Sequence, residues 1–97
     1  MFTPDTLNGK SILVTGGGSG LGLSMAKHFA AHGANVAICG RTEDKLREAA
    51  KEIEAVKQPH IKVLTHPVDV RDFDAVGVMM KRLVEEFGSL EGLVNNA

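Results

Sequence analysis

Between Thr15 and Gly22 the chain reads Thr-Gly-Gly-Gly-Ser-Gly-Leu-Gly, and few folds can use that stretch where it stands. It follows the apolar run Ile12-Leu13-Val14 and opens a helical pattern near Leu21. A strand, a glycine turn and a helix N-terminus in that order make an anion cradle. Backbone N–H groups converge there, and the helix dipole adds partial positive charge where a pyrophosphate would sit. Glycine suits such a turn because φ can be positive and no Cβ holds phosphates away from the backbone. The spacing is Gly16-x-x-x-Gly20-x-Gly22, not the commoner G-x-G-x-x-G, although Gly16-x-Gly18 also overlaps it. The competing reading is a flexible glycine loop. The flanks favour the cradle, with Gly16, Gly18, Ser19, Gly20, Leu21 and Gly22 as its candidate residues.

The rest of the chain supplies a sheet for that cradle. Asn8-Gly9 reads as a turn before a first strand over Ser11 to Val14, a continuous apolar run of the kind buried on both faces. A helix over Gly20 to Ala31 places Gly22, Met25, Ala26, Phe29 and Ala30 on one face, and Gly33 stops it. Asn35 to Cys39 is a second strand. Thr42 then resembles an N-cap, and Leu46, Ala49, Ala50 and Ile53 mark an amphipathic helix to Val56. Ile61 to Val68 is a third strand, limited by Pro67. Asp72 caps a third helix with core face Val76, Met79, Met80, Leu83 and Phe87; Gly88 ends it, and Leu93-Val94 begins a fourth strand. The order β-α-β-α-β-α-β implies an α/β fold, the first half of a Rossmann-type doubly wound parallel sheet with strand order 3-2-1-4.

Composition narrows the partners. At 97 residues there is room for one domain or part of one, and 43% hydrophobic with 24% charged residues excludes disorder. A net charge of −1 without a basic tract argues against nucleic acid, and no apolar stretch reaches membrane-spanning length. The single Cys39 fits a reducing cytoplasm, and within an apolar strand it reads as a core residue. His28 and His32 stand i, i+4, but no further ligand completes a metal site. The loop lacks the Gly-Lys-Ser/Thr ending of a P-loop, which excludes that NTPase class.

Two positions speak to the ligand. Dinucleotide folds use an acid at the end of the second strand to hold the adenosine ribose, but Gly40 stands there with Arg41 behind it. A carboxylate would repel the 2′-phosphate of NADP, whereas Arg41 can make charge-assisted bonds to it, worth roughly 1.5–3 kcal/mol. That makes NADP the expected cofactor over NAD. The alternative is that Arg41 is a solvated charge or pairs with Glu43 or Asp44. The missing acid also counts against a methyltransferase with a similar sheet. Asp69, at the end of the third strand, can accept from the adenine amino group, with Val70 as an apolar wall; otherwise it is a second acid ahead of Asp72.

Taken in order, Thr15-Gly16-x-x-x-Gly20-x-Gly22, Arg41, Asp69-Val70 and Asn95-Asn96-Ala97 resemble the short-chain dehydrogenase/reductase family. The loop, Gly40-Arg41 and the Phe2/Leu7 lead-in look most similar to 2,4-dienoyl-CoA reductases. The resemblance implies that Gly16 to Gly22 hold the pyrophosphate and that Arg41 meets the 2′-phosphate. It further implies that Asp69 meets adenine and that Asn95 lies beside the cofactor while steadying the central strands. It implies hydride transfer to or from a carbonyl, hydroxyl or enoyl thioester of a small molecule, and a homo-oligomer when complete. It covers only the N-terminal half of the family's domain, so residues 1–97 are expected to bind NADP without the catalytic half. The family's catalytic serine and Tyr-x-x-x-Lys pair have no counterpart, and the chain contains no tyrosine. A non-catalytic nucleotide-binding module is the other reading. On either, the fourth strand is an unpaired edge, and parts of the Val76/Met80/Leu83 face are expected to be exposed.

Overall fold

The computed structural model describes residues 7–96, so Phe2, the Thr3-Pro4-Asp5 lead-in and Ala97 lie outside the described residues. Seven elements alternate: β1 (Ser11–Thr15), α1 (Gly20–Ala31), β2 (Asn35–Gly40), α2 (Glu43–Val56), β3 (Val63–Pro67), α3 (Phe73–Phe87) and β4 (Gly92–Asn95). The strands form one sheet in the order β3-β2-β1-β4, every pair parallel. This is the Rossmann-type half-sheet expected from the element order.

Because side chains alternate across a strand, each strand feeds two cores. Ile12 and Val14 of β1 and Val36 and Ile38 of β2 point to one face, where Ala26 and Ala30 of α1 and Leu46, Ala49 and Ile53 of α2 close over them. Leu13, Ala37 and Cys39 point to the other and meet Met79 and Leu83 of α3. Residues 11–14 are all buried, as a central strand requires. In α1 the core position expected for Met25 is only half-buried; Leu23, one turn before Ala26, joins Phe29 against the core instead.

Two local expectations need correction. The third strand is shorter than Ile61 to Val68; both end residues are buried, but the ladder covers only Val63–Pro67. Pro67 is tolerated because β3 is an edge strand, and the neighbouring Val68 N–H still donates to the Gly40 carbonyl at 2.8 Å. Thr42 occupies the N-cap of α2 as expected, without a side-chain capping bond, and Glu43 and Asp44 stand in the first turn, where they complement the dipole. Asp72 does cap α3, its Oδ1 accepting from the Ala75 N–H at 3.1 Å. Finally, Leu83 is fully buried and Val76 and Met80 are half-buried, so the exposed apolar surface lies elsewhere: Leu93 on β4 is 61% exposed.

The start of the β1–β4 pair is closed by a side chain. The Ser11 N–H, buried, donates to Glu91 Oε1 at 2.7 Å, and the Glu91 N–H donates to the Ser11 carbonyl at 2.9 Å. Bonds from Ser89 and from the Ser11 N–H hold the Glu91 carboxyl below its usual value of 4.5. A carboxylate with a lowered folded pKa stabilises the fold above its unfolded value and loses that contribution as pH falls through the folded one. Glu91→Ala should therefore lower the melting temperature at pH 7, and the gap from the parent should close below about pH 4.5. Thermal melts by circular dichroism across pH 3–7 check this; a gap constant with pH would remove the ionic contribution.

Candidate nucleotide-binding site

All four strands run the same way, so their carboxyl ends open onto one crest of the sheet, where ligands bind in open α/β folds. The loops leaving those ends carry Gly16, Arg41, Asp69, Val70 and Asn95, and these line one crevice of about 430 Å³. Residues as far apart in the chain as Gly16 and Asn95 are gathered by topology.

The glycine loop is shaped by close approach. Gly16 has φ +66°, and a Cβ there would run into the Asn96 carbonyl oxygen. A Cβ on Gly22 would meet the Gly16 carbonyl oxygen, so α1 starts directly against the first turn of the loop. Gly17, absent from the sequence-derived candidates, is buried against Ile38; its signal was only its place between two other glycines. The first N–H groups of α1 have no partner within the helix, and its first turn has no acidic residue. By contrast, α2 has Glu43 and Asp44 and α3 has Asp74 in the same place. Among the described residues, α1 is the helix whose first turn carries no acidic side chain at the positive end of its dipole, which suits an external anion.

Thr15, Asn95 and Asn96 clamp the crest. The Thr15 hydroxyl lies 3.0 Å from Asn95 Oδ1, and the Asn96 N–H donates to Thr15 Oγ1 at 3.0 Å. Asn96 Nδ2 reaches towards the Gly16 carbonyl at 3.5 Å. Asn95 thus ties β4 to β1 while facing the crevice. Thr15 and Asn96 are further site residues, and the threonine opening the glycine motif was the available signal.

Asp69 is more committed than the sequence suggested. Arg71 grips its carboxylate with Nη2 at 2.8 Å on Oδ2 and Nε at 3.1 Å on Oδ1, and the Arg71 N–H adds a bond at 2.9 Å. These bonds, with a smaller contribution from the Arg41 charge, hold the Asp69 carboxyl far below the usual carboxylate range. It is an anion with its direction set, and Oδ2 keeps room for one more donor. Arg71 itself lines the crevice, a role visible only once the pair is seen.

Arg41 does not pair with Glu43 or Asp44: Arg47 takes both, at 3.2 and 4.0 Å. Among the described residues Arg41 makes no ion pair, and it borders both the main crevice and a smaller hollow of about 140 Å³. Ser19 and Gly18 line that hollow; Leu21, 66% exposed, lines neither space. Cys39 is buried, which pushes its thiol up and leaves it a packing residue. No group of three His, Cys, Asp or Glu converges among the described residues.

Known proteins match this arrangement. The profile of the short chain dehydrogenase family matches residues 10–97. An uncharacterized oxidoreductase of Mycobacterium tuberculosis is 36% identical over 93 residues, 96% of this chain and 27% of its own length. The peroxisomal 2,4-dienoyl-CoA reductase of Arabidopsis thaliana is 35% identical over 96 residues, covering 99% of this chain and 31% of its own. The structure of a citronellol catabolism dehydrogenase from Pseudomonas aeruginosa superposes with a TM-score of 0.90 at 39% identity, over 100% of this chain and 39% of that one. The chain therefore spans about a third of the length of the proteins it matches. With the family profile matched across nearly its whole length, and a crest built from the glycine loop, Thr15 and the two asparagines, the chain belongs to the short chain dehydrogenase family of oxidoreductases.

Proposed function

We propose that this chain is the NADP(H)-binding part of a short-chain oxidoreductase that moves hydride to or from a carbonyl, hydroxyl or enoyl thioester of a small molecule. The observation that carries the cofactor choice is Arg41, left without an ion pair among the described residues at the end of β2 and following Gly40 where an acid would otherwise stand. In this reading the Gly16–Gly22 loop and the open N-terminus of α1 hold the pyrophosphate, and Arg41 takes the 2′-phosphate. Asp69 and Val70 bound the adenine, and Asn95 lies further along the crest. The fit is supported by the glycines: a Cβ at Gly16 or Gly22 would be driven into backbone atoms of the cradle. When bound, the nicotinamide would supply or accept the hydride; the residues of this chain would bind and orient the cofactor. The family's Tyr-x-x-x-Lys pair has no counterpart in a chain without tyrosine, so in this reading the chain supplies cofactor binding and no acid–base group.

Titration of NADPH and NADH by calorimetry tests this. The parent should favour NADPH by about 10-fold or more, and Arg41→Ala should lose about that factor for NADPH while changing NADH little. Equal losses for both cofactors would reduce Arg41 to a support of the fold.

A further inference from the structure

The hollow beside Arg41 holds a second cation. Lys45, in the first turn of α2, lines it together with Ser19, Thr42 and Gly18. An added Cβ on Gly18 would sit 3.4 Å from the Lys45 Cβ, so the glycine loop and this turn of α2 are immediate neighbours. The turn is anchored from behind by Leu46, 2% exposed, whose N–H donates to the Thr42 carbonyl at 3.1 Å.

Three observations bear on what this corner could hold. First, the acids that could neutralise Lys45 are engaged elsewhere: Glu43 and Asp44 by Arg47, and Glu48 by Lys51 at 3.6 Å. Among the described residues neither Lys45 nor Arg41 makes an ion pair. Second, Ser19 and Thr42 are the N-cap residues of α1 and α2, and neither side chain makes the capping bond open to it. Two hydroxyls are left available as donors. Third, a lysine in the first turn of a helix opposes the dipole, so local helix energetics do not account for it. A phosphate monoester carries close to two negative charges at pH 7, more than one guanidinium balances.

From this geometry we propose that Lys45 is a second specificity-determining cation for the 2′-phosphate, sharing the hollow with Arg41 and the Ser19 and Thr42 hydroxyls. The inference rests on the NADP(H) reading and deepens it: preference for the phosphorylated ribose comes from two cations on different elements, one on the loop after β2 and one on α2.

The test uses 2′,5′-ADP and 5′-ADP as probes, titrated by calorimetry into the parent, Lys45→Gln and Lys45→Arg, with far-UV circular dichroism as the check on folding. Lys45 is exposed, so both variants should fold. Lys45→Gln should weaken 2′,5′-ADP binding about tenfold and leave 5′-ADP within about twofold, and Lys45→Arg should retain the preference. The salt dependence of 2′,5′-ADP binding should also become shallower in Lys45→Gln. If the parent prefers 2′,5′-ADP and Lys45→Gln leaves that preference unchanged, or weakens both probes equally, the role of Lys45 is overturned while the cofactor reading stands. A parent that binds the two probes equally, or neither, overturns both.

Discussion

Gly16→Val is expected to abolish nucleotide binding, with a loss of at least about two orders of magnitude in affinity, because two separate obstacles act at one residue. The backbone of Gly16 sits at φ +66°, a region that a β-branched residue avoids. The new Cβ is also driven into the Asn96 carbonyl oxygen. The loop must open to relieve both, which separates the Gly16 carbonyl from the start of α1 and scatters the N–H groups proposed to face the anion. The cost to stability is of order 1–3 kcal/mol for the strained backbone alone. Calorimetry with NADPH on variant protein that retains its helical circular dichroism separates lost binding from lost fold. Binding at the parent affinity by such a folded variant would sink the cradle assignment.

Leu83→Ala is the largest expected stability effect. Leu83 is fully buried under β1 and β2, packed with Leu13, Ala37, Cys39 and Met79. Truncating a leucine in such a setting costs about 2–5 kcal/mol, from lost transfer energy and the cavity left behind. Against a total of about 5–15 kcal/mol for a domain, that is a large share of the stability. Val78, four positions before Arg82 on the same helix, is 67% exposed, and Val78→Thr should change stability by less than about 0.5 kcal/mol. Urea unfolding of the two variants side by side checks the contrast. Similar midpoints for both would mean that α3 turns a different face to the sheet.

The contrast between these helix positions marks what periodicity can and cannot deliver. The spacing of Val76, Met79, Met80, Leu83 and Phe87 identifies the face of α3 that turns inward, because a helix has one fixed repeat. It does not say how deeply each residue sinks, and the expectation of an exposed Leu83 failed on that point. Depth depends on where the sheet lies under the helix. Leu93 and Leu83 are chemically alike, yet the first sits on the outer strand at 61% exposure and the second beneath the sheet at none.

The sequence by itself determined the element order, the two-sided burial of β1, the strand order that parallel right-handed crossovers allow, and the location of the glycine loop at a strand-to-helix turn. These are local or periodic properties, set by steric limits on each residue and by the repeat of the backbone. Tertiary structure decided the partners. Glu43 and Asp44 stood close enough in sequence to claim Arg41, but the helical repeat delivers them to Arg47, three and four positions on. Asp69 read as an open acceptor until Arg71 folded back on it. Gly16 and Gly22 are required not by the loop alone but by what lies against them: Asn96, arriving from the far end of the chain, and the loop's own first carbonyl. Lys45 is one charge on a solvated helix by sequence, and becomes part of a hollow only because α2 packs beside the glycine loop. Which of several competing groups meets a given side chain is settled by distance in space, and distance in space is supplied by the packing of β1 between β2 and β4.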